Sequence, residues 1–194
     1  MGIFSACIGV YHGDTMSFTY QAEQWLSQPI DAVFAFFANP DNLPRLMPAW
    51  QKARIESASI VPPPGAAFKA AGAGSRVTLS FRPIPFSPIR VRWVAEISEF
   101  AWNDHFCDRQ VSGPFGSWTH CHRLRSVDRE GIDFTVVVDQ IEYDLPGGAL
   151  GKLAHRLFVR RQIERMFAFR QAEILRIFQP AEPETTRSPQ PQMK

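Results

Sequence analysis

The run DRQVSGPFGSWTHCHRL, from Asp108 to Leu124, sets His120 and His122 two positions apart behind a Gly-Pro-Phe-Gly turn. On an extended strand alternate residues project from one face, so both imidazoles point the same way, in company with Trp118 and Leu124. Imidazole can ligate a metal, carry a proton or hydrogen-bond a ligand. A metal site would join His120 and His122 to Cys107 or His105, but the spacing matches no closed zinc pattern. A catalytic site would use His120 or His122 as general base, oriented by Asp139, with Arg109 or Tyr143 polarising a substrate carbonyl. No serine or cysteine nucleophile stands at a readable spacing from a base to strengthen it. The plainest use is a pocket wall in which His120, His122, Arg109, Asp139 and Tyr143 form a hydrogen-bonded polar patch, structural or orienting a ligand's polar end. Phe81, Trp93 and Trp118 complete that wall or simply pack as core.

Which residues share the histidine face depends on strand register. A tight turn over Gly113 to Gly116 pairs Trp118 with Val111, His120 with Arg109 and His122 with Cys107. One face then carries His105, Cys107, Arg109, Trp118, His120 and His122, and the other Phe106, Asp108, Thr119 and Cys121. A three-residue loop shifts every pair by one and turns the partner strand over. Trp118 and Leu124 are better buried than Thr119, Arg123 and Arg125, which points the histidines inward. On the last strand, burying Ile141 and Tyr143 brings Asp139 inside as well, where a carboxylate needs a partner.

The elements that must position these residues are legible. FTYQAEQWLS reads as a strand from Phe18. QPIDAVFAFFANPDNLPRLMPAW follows as a short helix from Pro29, broken at Asn39-Pro40, and a second small helix or turn. QKARIESASI is extended, and SRVTLSFRP, IRVRWVAEISEF, NDHFCDRQVSG, GSWTHCHRLRSVD and GIDFTVVVDQIEYDL complete seven strands. Val77, Leu79 and Phe81 alternate with polar neighbours, as do Val91, Trp93, Ala95 and Ile97, the pattern of an antiparallel sheet covered on one face. The segment from Ala149 to Phe178 is one long helix with two apolar stripes, Leu150, Leu153 and Leu157, then Val159, Ile163, Met166, Phe167, Ile174 and Ile177; the change of stripe predicts a bend or a change of neighbour near Phe158. A single helix laid in a curved sheet leaves a cavity.

At 194 residues the chain suits one domain, with 16 Phe and 5 Trp supplying much aromatic surface. A formal charge of +2 gives no case for nucleic acid, and the arginines of HRLFVRRQIERMFAFR read as a solvated helix face. Their alternative is a partner or acidic membrane for Arg156, Arg160, Arg161 and Arg165. VPPPGAAFKAAGAGS contains no phosphate-binding pattern. Three cysteines, an odd number without C-x-x-C spacing, suggest reduced thiols in the cytoplasm. No stretch reaches the roughly 20 apolar residues of a membrane span. MGIFSACIGVYHGD lacks the features of a signal peptide. Residues 1–16 are expected as an arm, with Met16 an equally good start, and residues 179–194 as a disordered tail.

The opening QPIDAVFAFFANPDNLPRLMPAW, Trp93 in its strand, FCDRQVSGPFGSWTHCHRL and DQIEYDLPGG, in that order, resemble the START/Bet v 1-like (SRPBCC) helix-grip superfamily, in particular its polyketide cyclase/dehydrase-like branch. The resemblance spans Phe18 to Phe178. It implies an α+β helix-grip fold over residues 17–178: a curved seven-stranded antiparallel sheet around a long C-terminal helix, with two short helices after the first strand. It further implies a deep pocket for a lipid-, quinone- or polyketide-like molecule, in a binder or in a cyclase/dehydrase-type enzyme, with no metal or other cofactor. Phe81, Trp93, Arg109, Trp118, His120, His122, Asp139 and Tyr143 are the ligand-contacting candidates. A homodimer is allowed by the sequence.

Overall fold

A computed structural model describes residues 5–12 and 15–179, with side chains from residue 17 onward. The sheet has eight antiparallel strands in the order β1-β2-β8-β7-β6-β5-β4-β3. They are β1 Ser5–His12, β2 Thr15–Leu26, β3 Arg54–Ser59, β4 Arg76–Phe81, β5 Val91–Ala101, β6 His105–Ser112, β7 Ser117–Arg129 and β8 Ile132–Asp144. Seven correspond to the seven expected. The eighth, β1, comes from the stretch anticipated as an arm and lies along β2, from Ser5 opposite Ala22 to His12 opposite Thr15. The tail expected beyond Gln179 lies outside the described residues.

Between β2 and β3 the chain forms helix α1, Ile30–Ala38, and the 3₁₀ turns Pro40–Leu46 and Ala49–Gln51. The break falls at Asn39 because its side chain accepts a hydrogen bond from Asp41 N, at 3.1 Å, capping the 3₁₀ turn while Pro40 opens it. The C-terminal helical segment runs as α2, Ala149–Ala154, a π-helical turn over His155–Val159, and α3, Arg160–Phe178. The expected irregularity near Phe158 is that π turn. Gly151 is dictated by packing, since a Cβ there would stand 2.7 Å from the Pro146 carbonyl oxygen. Gln179 N closes the helix on the Leu175 carbonyl, ahead of Pro180.

Period-two alternation puts Phe18, Tyr20, Ala22 and Leu26 of β2 and Ile141 and Tyr143 of β8 inside. These form two apolar clusters. One gathers around Val33, Phe34 and Phe37 of α1 with Phe106, Leu124 and Ile174, and the other around Phe18, Tyr20, Trp118 and Tyr143 with Ile163 and Phe167. α3 bridges them, so the helix is held at both ends while the sheet curves away from its middle.

Two expectations are corrected. β6 and β7 pair Cys107 with Cys121, Asp108 with His120 and Arg109 with Thr119, one residue from the register in which His120 faces Arg109. The pairing centres on Pro114, and Gln110 folds its amide over the turn, Nε2 donating to the Phe115 carbonyl at 2.9 Å; this is the three-residue loop geometry, with the consequence of turning β6 over. The second concerns the thiols. With the new register Cys107 and Cys121 are directly opposed, Cα atoms 4.1 Å apart, and they form a disulfide. An odd cysteine count therefore conceals one bonded pair.

Candidate functional site

A cavity of about 170 Å³ opens between the sheet and α3, beneath the Pro40–Leu46 turn. Alternation on four strands builds its wall: Val77, Leu79 and Phe81 from β4, Trp93, Ala95 and Ile97 from β5, Phe106 and Asp108 from β6, and Trp118, His120 and His122 from β7. Met166, Phe167 and Arg170 of α3 close the opposite side, with Phe37, Leu43 and Met47 at the turn. The aromatic part is tightly assembled, Trp93 meeting Trp118 edge-on at 5.1 Å between centroids. An apolar cavity of about 150 Å³ takes a benzene ring, so this one suits a substituted single ring or a compact apolar chain.

Polar groups gather at one end of this wall as a continuous chain. Asp108 Oδ2 lies 3.6 Å from His120 Nδ1, and His120 Nε2 lies 3.1 Å from Asp139 Oδ1. His122 Nδ1 stands 2.6 Å from the same Asp139 oxygen, in contact with it but not aligned as a hydrogen bond. On its other side Arg170 Nη2 donates to His122 Nε2 at 3.3 Å. A ring nitrogen that accepts from a guanidinium carries no proton, so the His122 proton resides on Nδ1, toward Asp139.

Charge follows from burial and these contacts. Burial, reinforced by His120, pulls the His122 pKa down to about 3, so its imidazole is neutral. Burial alone would raise Asp139, but the two imidazoles and Arg170 outweigh it and hold this carboxyl well below the usual range. Asp139 is thus ionised although 3% exposed. Asp108 moves the other way, because burial raises it more than His120 and Arg170 lower it. The chain therefore holds two carboxyls whose environments push them apart, separated by one histidine, an arrangement suited to giving and taking a proton.

Arg170 enters the cavity sandwiched by aromatic rings, its guanidinium carbon 5.5 Å from the Phe37 centroid and 5.8 Å from that of Phe167. Its Nε is buried without a hydrogen-bond partner. With His120 Nε2 committed to Asp139, the groups left facing the cavity are His120 Nδ1, Asp108 and the arginine. Asp108, His120 and His122 also offer metal-ligand atoms within 4.8 Å of one another, but both His122 nitrogens already contact Asp139 and Arg170, and a cation there would sit beside a guanidinium. Donor chemistry favours an oxygen-bearing organic group over a metal.

Of the residues singled out from the sequence, Phe81, Trp93, Trp118, His120 and His122 line the cavity. Asp139 lies behind it, touching both imidazoles. Tyr143, fully buried, is outside the lining and shares a 2.9 Å hydrogen bond with His155 Nε2, whose ring stacks on Phe18. Arg109 is the correction that follows from the register: it stands on the far face, paired with Glu96 at 2.7 Å. Sequence reasoning missed Asp108, displaced by one position, and Arg170, counted among solvated arginines. Its spacing from Ile163, Met166, Phe167 and Ile174 on one helix face was the available signal.

No family model matches the chain, and no curated protein matches its sequence. Solved structures do. Zhui aromatase/cyclase from a Streptomyces species matches with TM-score 0.60 at 14% identity, over 83% of this chain and 93% of that one. Major latex-like protein 151 from Panax ginseng matches with TM-score 0.54 at 14% identity, over 84% of this chain and 99% of that one. Norcoclaurine synthase from Thalictrum flavum, in complex with dopamine and hydroxybenzaldehyde, matches with TM-score 0.54 at 15% identity, over 87% and 95%. At such identities the shared property is the fold, the Bet v 1-like helix grip. No helix among the described residues is long and apolar enough to cross a membrane.

Proposed function

Taking a helix-grip domain with this wall as the premise, we propose that the protein binds a small, largely apolar molecule whose oxygen-bearing end meets Asp108, His120 and Arg170. The observation that carries the reading is the cavity itself, apolar and aromatic over most of its surface with its polar groups converging at one end, which is how a pocket fixes the orientation of a small ligand. Its size favours a single substituted ring or a quinone-like head over a sterol. The norcoclaurine synthase complex, a fold neighbour holding two single-ring phenolic molecules, agrees in scale. Phe81, Trp93, Trp118 and Phe167 would contact the apolar body, and Asp139 would act through His120. Native mass spectrometry on protein purified from its own host tests this directly. A stoichiometric adduct of a small lipophilic compound is expected; repeated preparations that bind neither an adduct nor any added phenol or quinone overturn it.

A second reading is favoured by one specific feature, the Asp108–His120–Asp139 series. Asp139 orients the imidazole while Asp108, its pKa raised by burial, supplies a second proton site on the wall. That is the equipment for enolisation and dehydration of a polyketone-like substrate, with Arg170 polarising the carbonyl. Incubation with a linear polyketone surrogate is expected to give cyclised product that His120→Ala abolishes. Equal product from the parent and the variant, or from the parent and buffer, excludes the catalytic reading and leaves binding.

A further inference from the structure

The first apolar stripe of the C-terminal helical segment does not face the sheet. Leu150, Leu153 and Leu157 are 76%, 52% and 71% exposed and Phe158 is 50% exposed, while Gly151 and His155 make the buried contact. Large exposed apolar groups at i, i+3 and i+7 on one short helical stretch are unusual for a surface that meets only water. A loop from β4 to β5 adds to them. In its turn, Ser87 N donates to the Ile84 carbonyl at 3.3 Å and Phe86 takes φ +62°, a conformation for which such turns select glycine. The residue there is instead a phenylalanine, 98% exposed, flanked by the exposed Ile84 and Ile89. Gln162, one helical turn after Phe158, bonds the Pro83 carbonyl at 3.4 Å and ties loop and helix together.

Charge decides what such a surface meets. From Leu145 to Ile163 there is no Asp or Glu, whereas Lys152, Arg156, Arg160 and Arg161 all fall in this span. Arg82 and Arg90 bracket the loop, again without an acid between them. Basic side chains bordering an exposed apolar stripe match the boundary between anionic headgroups and acyl chains. A face used to pair with a second copy of the chain would bring these like charges together.

We propose that this face docks on an anionic lipid bilayer, Leu150, Leu153, Leu157 and Phe86 entering the headgroup–acyl boundary while Arg156 and Arg161 meet the headgroups. Phe81, at the root of the loop, and Met166, one turn beyond Gln162 on α3, line the cavity, so the docked face adjoins one end of it. The inference goes beyond the binding reading and stands without it, because vesicle binding is measured on ligand-free protein.

The test is co-sedimentation of the full chain with phosphatidylcholine vesicles, with and without phosphatidylglycerol. Binding is expected only to the anionic vesicles and is weakened by salt. The Leu157→Ser/Phe86→Ser variant should bind at least about tenfold more weakly, and Arg156→Gln and Arg161→Gln about fivefold each. All the altered positions are exposed, and unchanged far-ultraviolet circular dichroism controls for folding. Absence of binding, equal binding to neutral vesicles, or variants that bind like the parent overturn the proposal. So does sedimentation velocity showing a stable dimer that the double variant dissociates, which would assign the face to a second copy.

Discussion

The two faces of the β6–β7 pair are built from neighbouring residues and behave as different materials. Inward, Phe106, Asp108, His120 and His122 are buried or nearly so, and the three polar side chains join Asp139 through contacts of 2.6 to 3.6 Å. Outward, Arg109 and Glu96 form an ion pair whose arginine is 58% exposed, and Cys107 and Cys121 are joined covalently. Inside, where the dielectric is low, each polar group depends on its partner and perturbs its pKa. Outside, water screens the arginine, and Glu96, held low by Arg109 and Arg76 together, keeps a partner if either one is exchanged. A single residue of register separates a proton-bearing wall from a solvated ion pair.

Substitutions on each face would break or sharpen that contrast. The largest effect is expected from Asp139→Ala, which takes away the buried carboxylate that both imidazoles contact and that balances the Arg170 guanidinium; equilibrium unfolding should show a loss of about 3–5 kcal/mol. Next comes the covalent part of the outer face. Cys121→Ser removes a link closing 14 residues of chain and should cost about 3 kcal/mol. Thiol alkylation of the denatured, unreduced parent should label one cysteine of the three, and labelling of all three would contradict the bond.

Acid should destabilise the inner face through His122. Its folded pKa, about 3, lies below the ordinary 6.5, so between these values the unfolded chain binds a proton the folded one does not, and stability falls as pH is lowered from 6.5 toward 3. Asp139 acts in the same sense at the acidic end, since its carboxyl is also held low. Asp108, raised, opposes them, its share being present in acid and lost as pH rises through its folded value. The midpoint of thermal unfolding, followed from pH 7 to 4, should drop, and His122→Asn should flatten the slope.

Smaller effects concern binding. Arg170→Met should weaken a phenolate or carboxylate ligand by about 10- to 100-fold, the worth of a charge-assisted hydrogen bond, and leave a bare hydrocarbon of the same shape nearly unaffected. Arg109→Ala is the smallest, with no measurable change in ligand affinity by titration calorimetry; a loss there would mean that β6 carries the register first expected from its turn.

Much of the framework is legible in the residue order. Val77, Leu79 and Phe81 against Trp93, Ala95 and Ile97 declare one inner face by alternation alone, and the shift from the Leu150 stripe to the Ile163 stripe marks where the helix changes near Phe158, though not that the change is a π turn. Asp139 was brought inside by Ile141 and Tyr143, two and four residues along its own strand. The failures share one cause. Arg109, Asp108 and the cysteine pair all hang on how many residues the turn at Pro114 consumes, and Arg170 on which arginine of a rich series lies over the cavity.

Residue order by itself determined what is periodic: which strands have one apolar side, where helices stop, and that His120, His122 and Trp118 share a face, because those relations are fixed by backbone geometry within a single element. Tertiary structure alone decided the relations between elements, among them Asp108 opposite His120, Asp139 beneath both imidazoles and Arg170 across from them. A slip of one residue in a turn, or a rotation of one helix, exchanges every such partner while leaving each element's own pattern intact.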